Sequence, residues 1–287
     1  LTGETPMHRY VVADVFTDVP LEGNPVAVFT DASDLSSELM QRVARETNLS
    51  ESVFVVAREP EDGIHARIRI FTPATELPFA GHPVLGTAFV LGAESQGPVV
   101  TLQTGAGVVP IALTREHGEV VYGEMEQPIP SLEPFEHEAE LLAAVGVERS
   151  ELPLQGYRNG PRNVYVALGS EAAVQALDPD FSALRSLGAW NVSCFAGAGS
   201  RFKMRMFGPG VGVPEDPATG SAAGPLAVHL ARHGRIGYGA EIEIRQGAEI
   251  GRPSILHARV DGTDERIERV VVGGNAVVVA RGEYRLR

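Results

Sequence analysis

The sequence predicts an α+β fold built of two similar, pseudo-symmetric halves, and three observations carry that expectation. One design occurs twice: Arg69-Ile70-Phe71-Thr72-Pro73 leads to Glu76 and Gly81-His82, and Arg205-Met206-Phe207-Gly208-Pro209 leads to Glu215-Asp216 and Gly220-Ser221. Glu76 to Glu215 and Gly81 to Gly220 both span 139 positions, whereas Arg69 to Arg205 spans 136, so the second loop carries three extra residues. A shared offset of about half the chain is the mark of a duplication. A length of 287 residues exceeds what one hydrophobic core usually serves and corresponds to about two domains. Apolar runs of strand length outnumber helical patterns, and most helices follow loops instead of alternating strictly with strands, which favours α+β halves over a doubly wound parallel sheet.

Leu1 to Pro6 precede Met7, the first plausible start, and read as a ragged leader. Tyr10 to Phe16 reads as a strand, Val19 to Pro25 as a turn-rich loop, and Val26 to Phe29 as a second apolar run. Ser36 or Asp34 can cap a helix that places Leu39, Met40, Val43 and Ala44 on one face and stops near Asn48. The strand Val53 to Val56 follows, so Glu51 falls at a loop-to-strand junction and not on a solvated helix face. Arg67 to Phe71 is another strand, and Gly81 then opens an Ala/Leu/Val-rich helix ending at Leu91. Runs near Val99 to Leu102 and Val108 to Leu113 continue the sheet.

Pro128, Pro130 and Pro134 crowd seven residues and argue for a linker. They divide the chain into residues 7–126 and 127–287, with the last strand free to return to the first half. Glu136 to Val145 has a helical pattern, Val164 to Leu168 and Phe202 to Phe207 read as strands, and Gly220 to His233 is the second Ala-rich helix. From Ile242 onward the chain alternates like antiparallel strands.

Composition narrows the function classes. Hydrophobic content of 44% with 21% charged residues is ordinary for a soluble globular protein, and no apolar run approaches the ~20 residues of a membrane span. A net charge of -13 repels phosphate backbones, which argues against nucleic acid as a partner. No signal-peptide pattern opens the chain, so the default expectation is a cytoplasmic protein. The single cysteine, Cys194, rules out an internal disulfide, a Cys-x-x-Cys site and a two-cysteine racemase. Flanked by Val192, Ser193 and Phe195, it reads as a small core residue. His229 and His233 share a helical face but lack a third ligand, so no metal site is expected. Ala196-Gly197-Ala198-Gly199 is only half of a dinucleotide fingerprint, and Gly220-Ser221-Ala222-Ala223-Gly224 lacks the spacing of a nucleophile elbow.

The chemistry concentrates at the repeat. A Gly-polar pair opening a helix exposes backbone N–H groups without intrahelical partners, and with the positive end of the helix dipole these make an anion site. Glycine suits such a place because a Cβ would obstruct close approach. Two openings, Gly81-His82 and Gly220-Ser221, could clasp one carboxylate; the competing reading is tight packing of two helices at an interface. Glu51, among Leu49, Val53 and Phe54, can be desolvated and its pKa raised, which suits a general base. Its competing reading is a solvated loop glutamate. His82 could donate to a substrate or shuttle a proton, and Asp216 could complement His82 across the cleft; either could equally be a cap or turn residue.

Several words of the sequence, taken in order, carry a family resemblance: Leu21-Glu22-Gly23-Asn24-Pro25, Asn48-Leu49-Ser50-Glu51-Ser52, Leu77-Pro78-Phe79-Ala80-Gly81-His82-Pro83, Asn159-Gly160-Pro161-Arg162, and Glu215-Asp216-Pro217-Ala218-Thr219-Gly220-Ser221. From about His8 to the C-terminus the chain resembles the PhzF phenazine-biosynthesis isomerase family. The resemblance implies a diaminopimelate-epimerase-like fold, each half a sheet rolled around a central helix, commonly as a homodimer. It also implies cofactor-free isomerisation of a small, cyclic, carboxylate-bearing substrate, trans-2,3-dihydro-3-hydroxyanthranilate, by moving a proton from C3 to C1. In that scheme Glu51 is the acid/base, with His82 and Asp216 assisting. Gly81, Gly220 and Ser221 hold the substrate's carboxylate, and Asn24 and Ser50 complete the pocket. Related epimerases carry cysteines at the two helix openings, where this chain has His82 and Ser221. Asn163 stands where the phenazine enzyme is expected to have histidine, which bears on substrate identity. Two alternatives remain: a same-fold isomerase or epimerase with another substrate, and a carboxylate-binding module without chemistry.

Overall fold

The computed structural model describes residues 6–61 and 63–286; Leu1 to Thr5, most of the expected leader, lie outside them. The first half contains β1 (Met7–Val15), β2 (Asn24–Phe29), α1 (Ser37–Thr47), β3 (Glu51–Glu61), β4 (Ile64–Phe71), β5 (Glu76–Leu77), α2 (Gly81–Gly92), β6 (Val99–Thr104), β7 (Gly107–Glu116) and β8 (Glu119–Gln127). Residues 128–130 lead into β9 (Ser131–Glu133), α3 (Glu138–Val145), β10 (Gly156–Arg158), β11 (Arg162–Ala167), α4 (Glu171–Gln175), α5 (Phe181–Ser186), β12 (Asn191–Ala198) and β13 (Arg201–Gly208). A 3-10 turn then leads to β14 (Val213–Asp216), α6 (Gly220–Arg232), β15 (Glu241–Gln246), β16 (Ser254–Gly262), β17 (Ile267–Gly274) and β18 (Ala276–Arg285).

The duplication seen in the sequence extends to the strand pairing. Parallel β2–β3 and β4–β6 in the first half recur as parallel β11–β12 and β13–β15 in the second. The antiparallel pairs β3–β4, β4–β5, β6–β7 and β7–β8 recur as β12–β13, β13–β14, β15–β16 and β16–β17. One antiparallel seam, β8 against β17 with Met125 opposite Val272, joins the halves. β18 pairs along β1 and so adds the C-terminal strand to the first half, while β9 occupies the matching place beside β10.

Each sheet rolls around one helix. α2 contacts β1, β2, β3, β6, β7, β8 and β18, and every residue from Gly81 to Gly92 is buried. α6 lies against β11, β16 and β17 and is buried from Gly220 to Ala231. A helix enclosed by sheet needs no polar face, which is why these two stretches read Ala/Leu/Val-rich all round. α1 is different, a surface helix with a single apolar stripe. Ser36 caps it by accepting from the Leu39 N–H at 3.2 Å, and Asn48 ends it in the left-handed conformation. Met40, Val43 and Ala44 of α1 pack on the stacked Phe29 and Phe54.

The strands and both central helices stand where the sequence predicts them, within a few residues. β12 gave no sequence signal because Asn191 to Ala196 is buried on both faces, so small polar and apolar residues alternate without any solvent-facing period. The Ala196-Gly197-Ala198-Gly199 stretch is the end of that strand and its hairpin, with Gly197 opposite Phe202. Cys194 is fully buried there, and burial pushes its thiol up to about 12.

Candidate active site

α2 and α6 begin head to head at the centre of the molecule. Ala80 precedes Gly81 in an extended conformation and Thr219 precedes Gly220, and neither helix start receives a side-chain cap. The first N–H groups of both helices are thereby free for a ligand. A Cβ built on Gly81 would fall 2.7 Å from the Ser221 nitrogen, so glycine is required there by backbone contact between the two halves. A cleft of about 600 Å³ opens in front of this junction. Glu51, Gly81 and His82 line it from one half, and Asp216, Gly220 and Ser221 from the other.

Glu51 is the first residue of β3, directly opposite Val26 of β2. Its Oε2 atom lies 3.4 Å from His82 Nε2, and both atoms are buried without a hydrogen-bond partner. Burial first, and the charge of Asp216 second, raise the Glu51 pKa well above the ordinary carboxylate range. His82 is lowered to about 3 by burial, against which a hydrogen bond with the Pro25 backbone works weakly. The imidazole is therefore neutral at physiological pH. A neutral ring carries one lone-pair nitrogen, and with Nε2 facing Glu51 it is suited to share a proton carried by that carboxyl.

Asp216 ends β14 and is raised to about 6, chiefly by burial. Three donors oppose the shift: Thr219 Oγ1 at 2.6 Å, Asn24 Nδ2 at 2.9 Å and Ser50 Oγ at 3.5 Å. Asp216, expected to complement His82 across the cleft, is turned into this set of donors, and the carboxylate facing His82 is Glu51. Asn24 and Ser50, expected on the pocket wall, stand behind Asp216 and act on it. Asn24 also donates to the Ala218 carbonyl at 2.8 Å, which ties β2 to the segment before α6.

Other buried groups support the site, and of these Gln246 and Gln127 carry no signal in the sequence. Gln246 of β15 donates to the Asp216 carbonyl at 2.7 Å and accepts from the Thr219 N–H at 3.1 Å, fixing the approach to α6. Gln127 donates to the Gly220 carbonyl at 2.8 Å, and Asn159 to the Ser221 carbonyl at 3.0 Å. Asn163 is wholly buried; it donates to the Asn159 side chain at 3.3 Å and accepts from Asn191 at 3.2 Å. Asn163 thus belongs to an amide ladder under the α6 start. His229 of α6 and His233, just past its end, lie ring to ring at 4.6 Å, and the Tyr157 hydroxyl meets His229 Nδ1 at 3.1 Å in the core.

The sequence profile described as "Phenazine biosynthesis-like protein" matches residues 13–282. The chain belongs to this family. It is 59% identical over 280 residues to a trans-2,3-dihydro-3-hydroxyanthranilate isomerase of Pseudomonas aeruginosa, covering 98% of this chain and all of that one. It is 54% identical over 276 residues to the enzyme of the same name from Pseudomonas fluorescens, covering 96% and 99% of the two chains. Among solved structures, a Bacillus anthracis phenazine biosynthesis protein of the PhzF family superposes with a TM-score of 0.81 at 26% identity, covering 98% of this chain and all of that one. The PhzF fold of two pseudo-symmetric halves, each with its central helix, is therefore common to both. No helix among the described residues is long and apolar enough to cross a membrane.

Within this PhzF-family chain the repeat also preserves a pair of arginines behind the site. Arg69 binds Glu76 through two bonds of 2.7 Å, and Arg205 binds Glu215 through two of 2.8 Å. Each guanidinium lies 5.0 Å from the ring of the next strand phenylalanine but one, Phe71 or Phe207. These staples hold the β4–β5 and β13–β14 hairpins from which the two helix starts are launched.

Proposed function

We propose that the protein isomerises trans-2,3-dihydro-3-hydroxyanthranilate, with Glu51 as the general acid/base. The observation that carries this reading is the Glu51 carboxyl, buried, partnerless at Oε2 and 3.4 Å from His82 Nε2, beside two uncapped helix starts. The relatives bearing that activity's name share more than half of their residues with this chain over nearly its whole length. The substrate's carboxylate is held by the N–H groups at Gly81-His82 and Gly220-Ser221, where a negative charge is favoured by both helix dipoles. Glu51 takes the proton from C3, the double bonds shift, and the same carboxyl returns a proton at C1; the enol left at C3 becomes a ketone. Atoms and charge balance with no redox step.

A base of raised pKa binds its proton strongly, which lowers the barrier to abstraction from carbon. His82 keeps that proton close to the ring during the transfer by offering its Nε2 lone pair. Asp216 sets the charge on Glu51 and anchors the α6 start, with Asn24, Ser50 and Thr219 holding it in place. The protein acts in this reading as a cytoplasmic homodimer, and light scattering in solution would check the dimer. Turnover of substrate deuterated at C3 tests the chemistry: the label is expected to leave C3 and reach C1 in the parent, and to stay at C3 in Glu51→Gln. Normal turnover by that variant would overturn the assignment.

A further inference from the structure

Two cations stand on the cleft wall, and the proton transfer leaves them unused. Arg158 ends β10 and Arg162 begins β11, and they are the Lys or Arg side chains among the described residues lining the cleft. Both guanidiniums bind one carboxylate: Arg158 meets Glu133 at 3.0 and 3.2 Å, and Arg162 meets it at 3.0 Å. Two positive charges against one negative leave an excess of one positive charge. Arg162 is further fixed by stacking 4.0 Å from the ring of Trp190, and its Nε is buried without a partner.

Position and sign both bear on an anion. The turn between the two arginines carries Asn159, whose side chain donates to the Ser221 carbonyl at 3.0 Å, so the pair is tied to the start of α6. Gly160, with φ +111°, lets the same turn pass Phe79, just ahead of α2. The remaining charged groups on the wall, Glu51 and Asp216, are acidic, and the whole chain carries a net charge of -13. The net charge opposes the approach of a carboxylate, and a local excess of positive charge offers it a basin. A stacked, prearranged guanidinium is suited to meeting a carboxylate in its plane.

We infer that Arg158 and Arg162 form an anion-receiving site at the cleft wall that draws the substrate's carboxylate in from solvent before the helix-start N–H groups take it over, and so makes the enzyme selective for acids. Glu133 holds the two guanidiniums in register and tempers their charge. The inference rests on the substrate class proposed above, so its test includes a binding measurement that needs no turnover. Trp190 is the single tryptophan of the chain and lies beneath Arg162, which makes its fluorescence a local reporter.

Benzoate and its neutral isostere benzamide are titrated against the parent, Arg158→Gln, Arg162→Gln and Arg162→Lys at about 10 and about 300 mM salt, a range over which exposed charges become screened. The parent is expected to bind benzoate in preference to benzamide, less so at high salt. Each Gln variant is expected to lose about tenfold in benzoate affinity at low salt, with benzamide unchanged, and Arg162→Lys to recover most of the preference. With substrate, kcat/KM of the Gln variants falls by a similar factor and its salt dependence flattens, while kcat falls less. Arg158 is half exposed and serves as the decisive variant if Arg162→Gln fails to fold. Unchanged benzoate preference and unchanged salt dependence in Arg158→Gln would overturn the inference, even in an enzyme that turns over normally. Lost benzoate preference in a protein inactive on the proposed substrate would uphold it and overturn the substrate assignment instead.

Discussion

Gly81 and Gly220 touch backbone to backbone across the two halves: a Cβ added to Gly81 would lie 2.7 Å from the Gly220 carbonyl carbon, and one added to Gly220 would lie 3.2 Å from the Gly81 Cα. The contact is asymmetric, because the Gly220 Cβ would also meet only the rim of Phe16, at 3.0 Å. Gly81→Ala must separate two main chains and is expected to cost about 3 kcal/mol or more, whereas Gly220→Ala, which can displace a side chain, costs about 1–3 kcal/mol. Urea midpoints of the two variants check the order. Displacing the helix starts by about 1 Å is expected to lower kcat/KM about 100-fold in Gly81→Ala.

Glu51→Gln separates activity from stability. Loss of the acid/base is expected to reduce kcat by about 10²- to 10⁴-fold. Stability moves the other way. A buried acid whose folded pKa is raised contributes most when protonated, and that contribution declines as pH rises from the unfolded value through the folded one. Melting temperatures of Glu51→Gln are therefore expected to exceed those of the parent at about pH 8 and to converge with them near pH 4. A variant less stable than the parent at the higher pH would show that Glu51 is not held in a desolvated site.

The pH profile of kcat/KM reports the same carboxyl. Proton abstraction requires the ionised form, so the rate is expected to fall as pH drops through a value above the ordinary carboxylate range. Asp216→Asn removes the second cause of that shift and leaves burial, so the acid limb moves to lower pH in the variant. With His82 lowered to about 3, no limb is expected near the ordinary histidine value, and His82→Gln leaves the position of the limb to the two carboxyls.

The duplicated arginine staples offer a matched comparison. Arg205 and Glu215 are 8% and 9% exposed, whereas Arg69 and Glu76 are 28% and 43% exposed. Glu215→Gln leaves a buried cation facing neutral oxygen atoms and is expected to cost about 3–5 kcal/mol. Glu76→Gln breaks a solvated pair and is expected to cost about 1 kcal/mol or less. Denaturant titration of both, with added salt affecting only the second appreciably, tests whether burial alone separates two equivalent sites.

Local signals made much of this legible in the sequence. Ser36 and Asn48 bound α1 through side-chain chemistry that any reader of the sequence can see, and the Gly81 and Gly220 openings announced themselves by recurring at one offset. Glu51 was legible through its neighbours, since a carboxylate at the junction of a loop and an apolar strand has little access to water. What escaped detection depends on distance along the chain. Gln127 reaches Gly220 across 93 positions and Asn24 reaches Asp216 across 192, and no periodicity records such contacts. Asn24 and Ser50 were expected on the cleft wall because the family resemblance implies it; only the fold reveals that Asp216 accepts from both. Arg162 stands in one of the family words, but nothing in the sequence joins it to Arg158 as a pair, because their shared partner, Glu133, sits on a three-residue strand.

The pairing of β18 with β1 also sets an order of events during synthesis. The second half is built from one continuous stretch, β9 to β17, and can close as soon as that stretch exists. The first half is begun earlier but keeps one edge of β1 bare until residues 276–285 have been made. The half that carries Glu51 is thus the last to be finished, and a nascent chain passes through a stage in which an apolar strand edge is open to pairing with strangers.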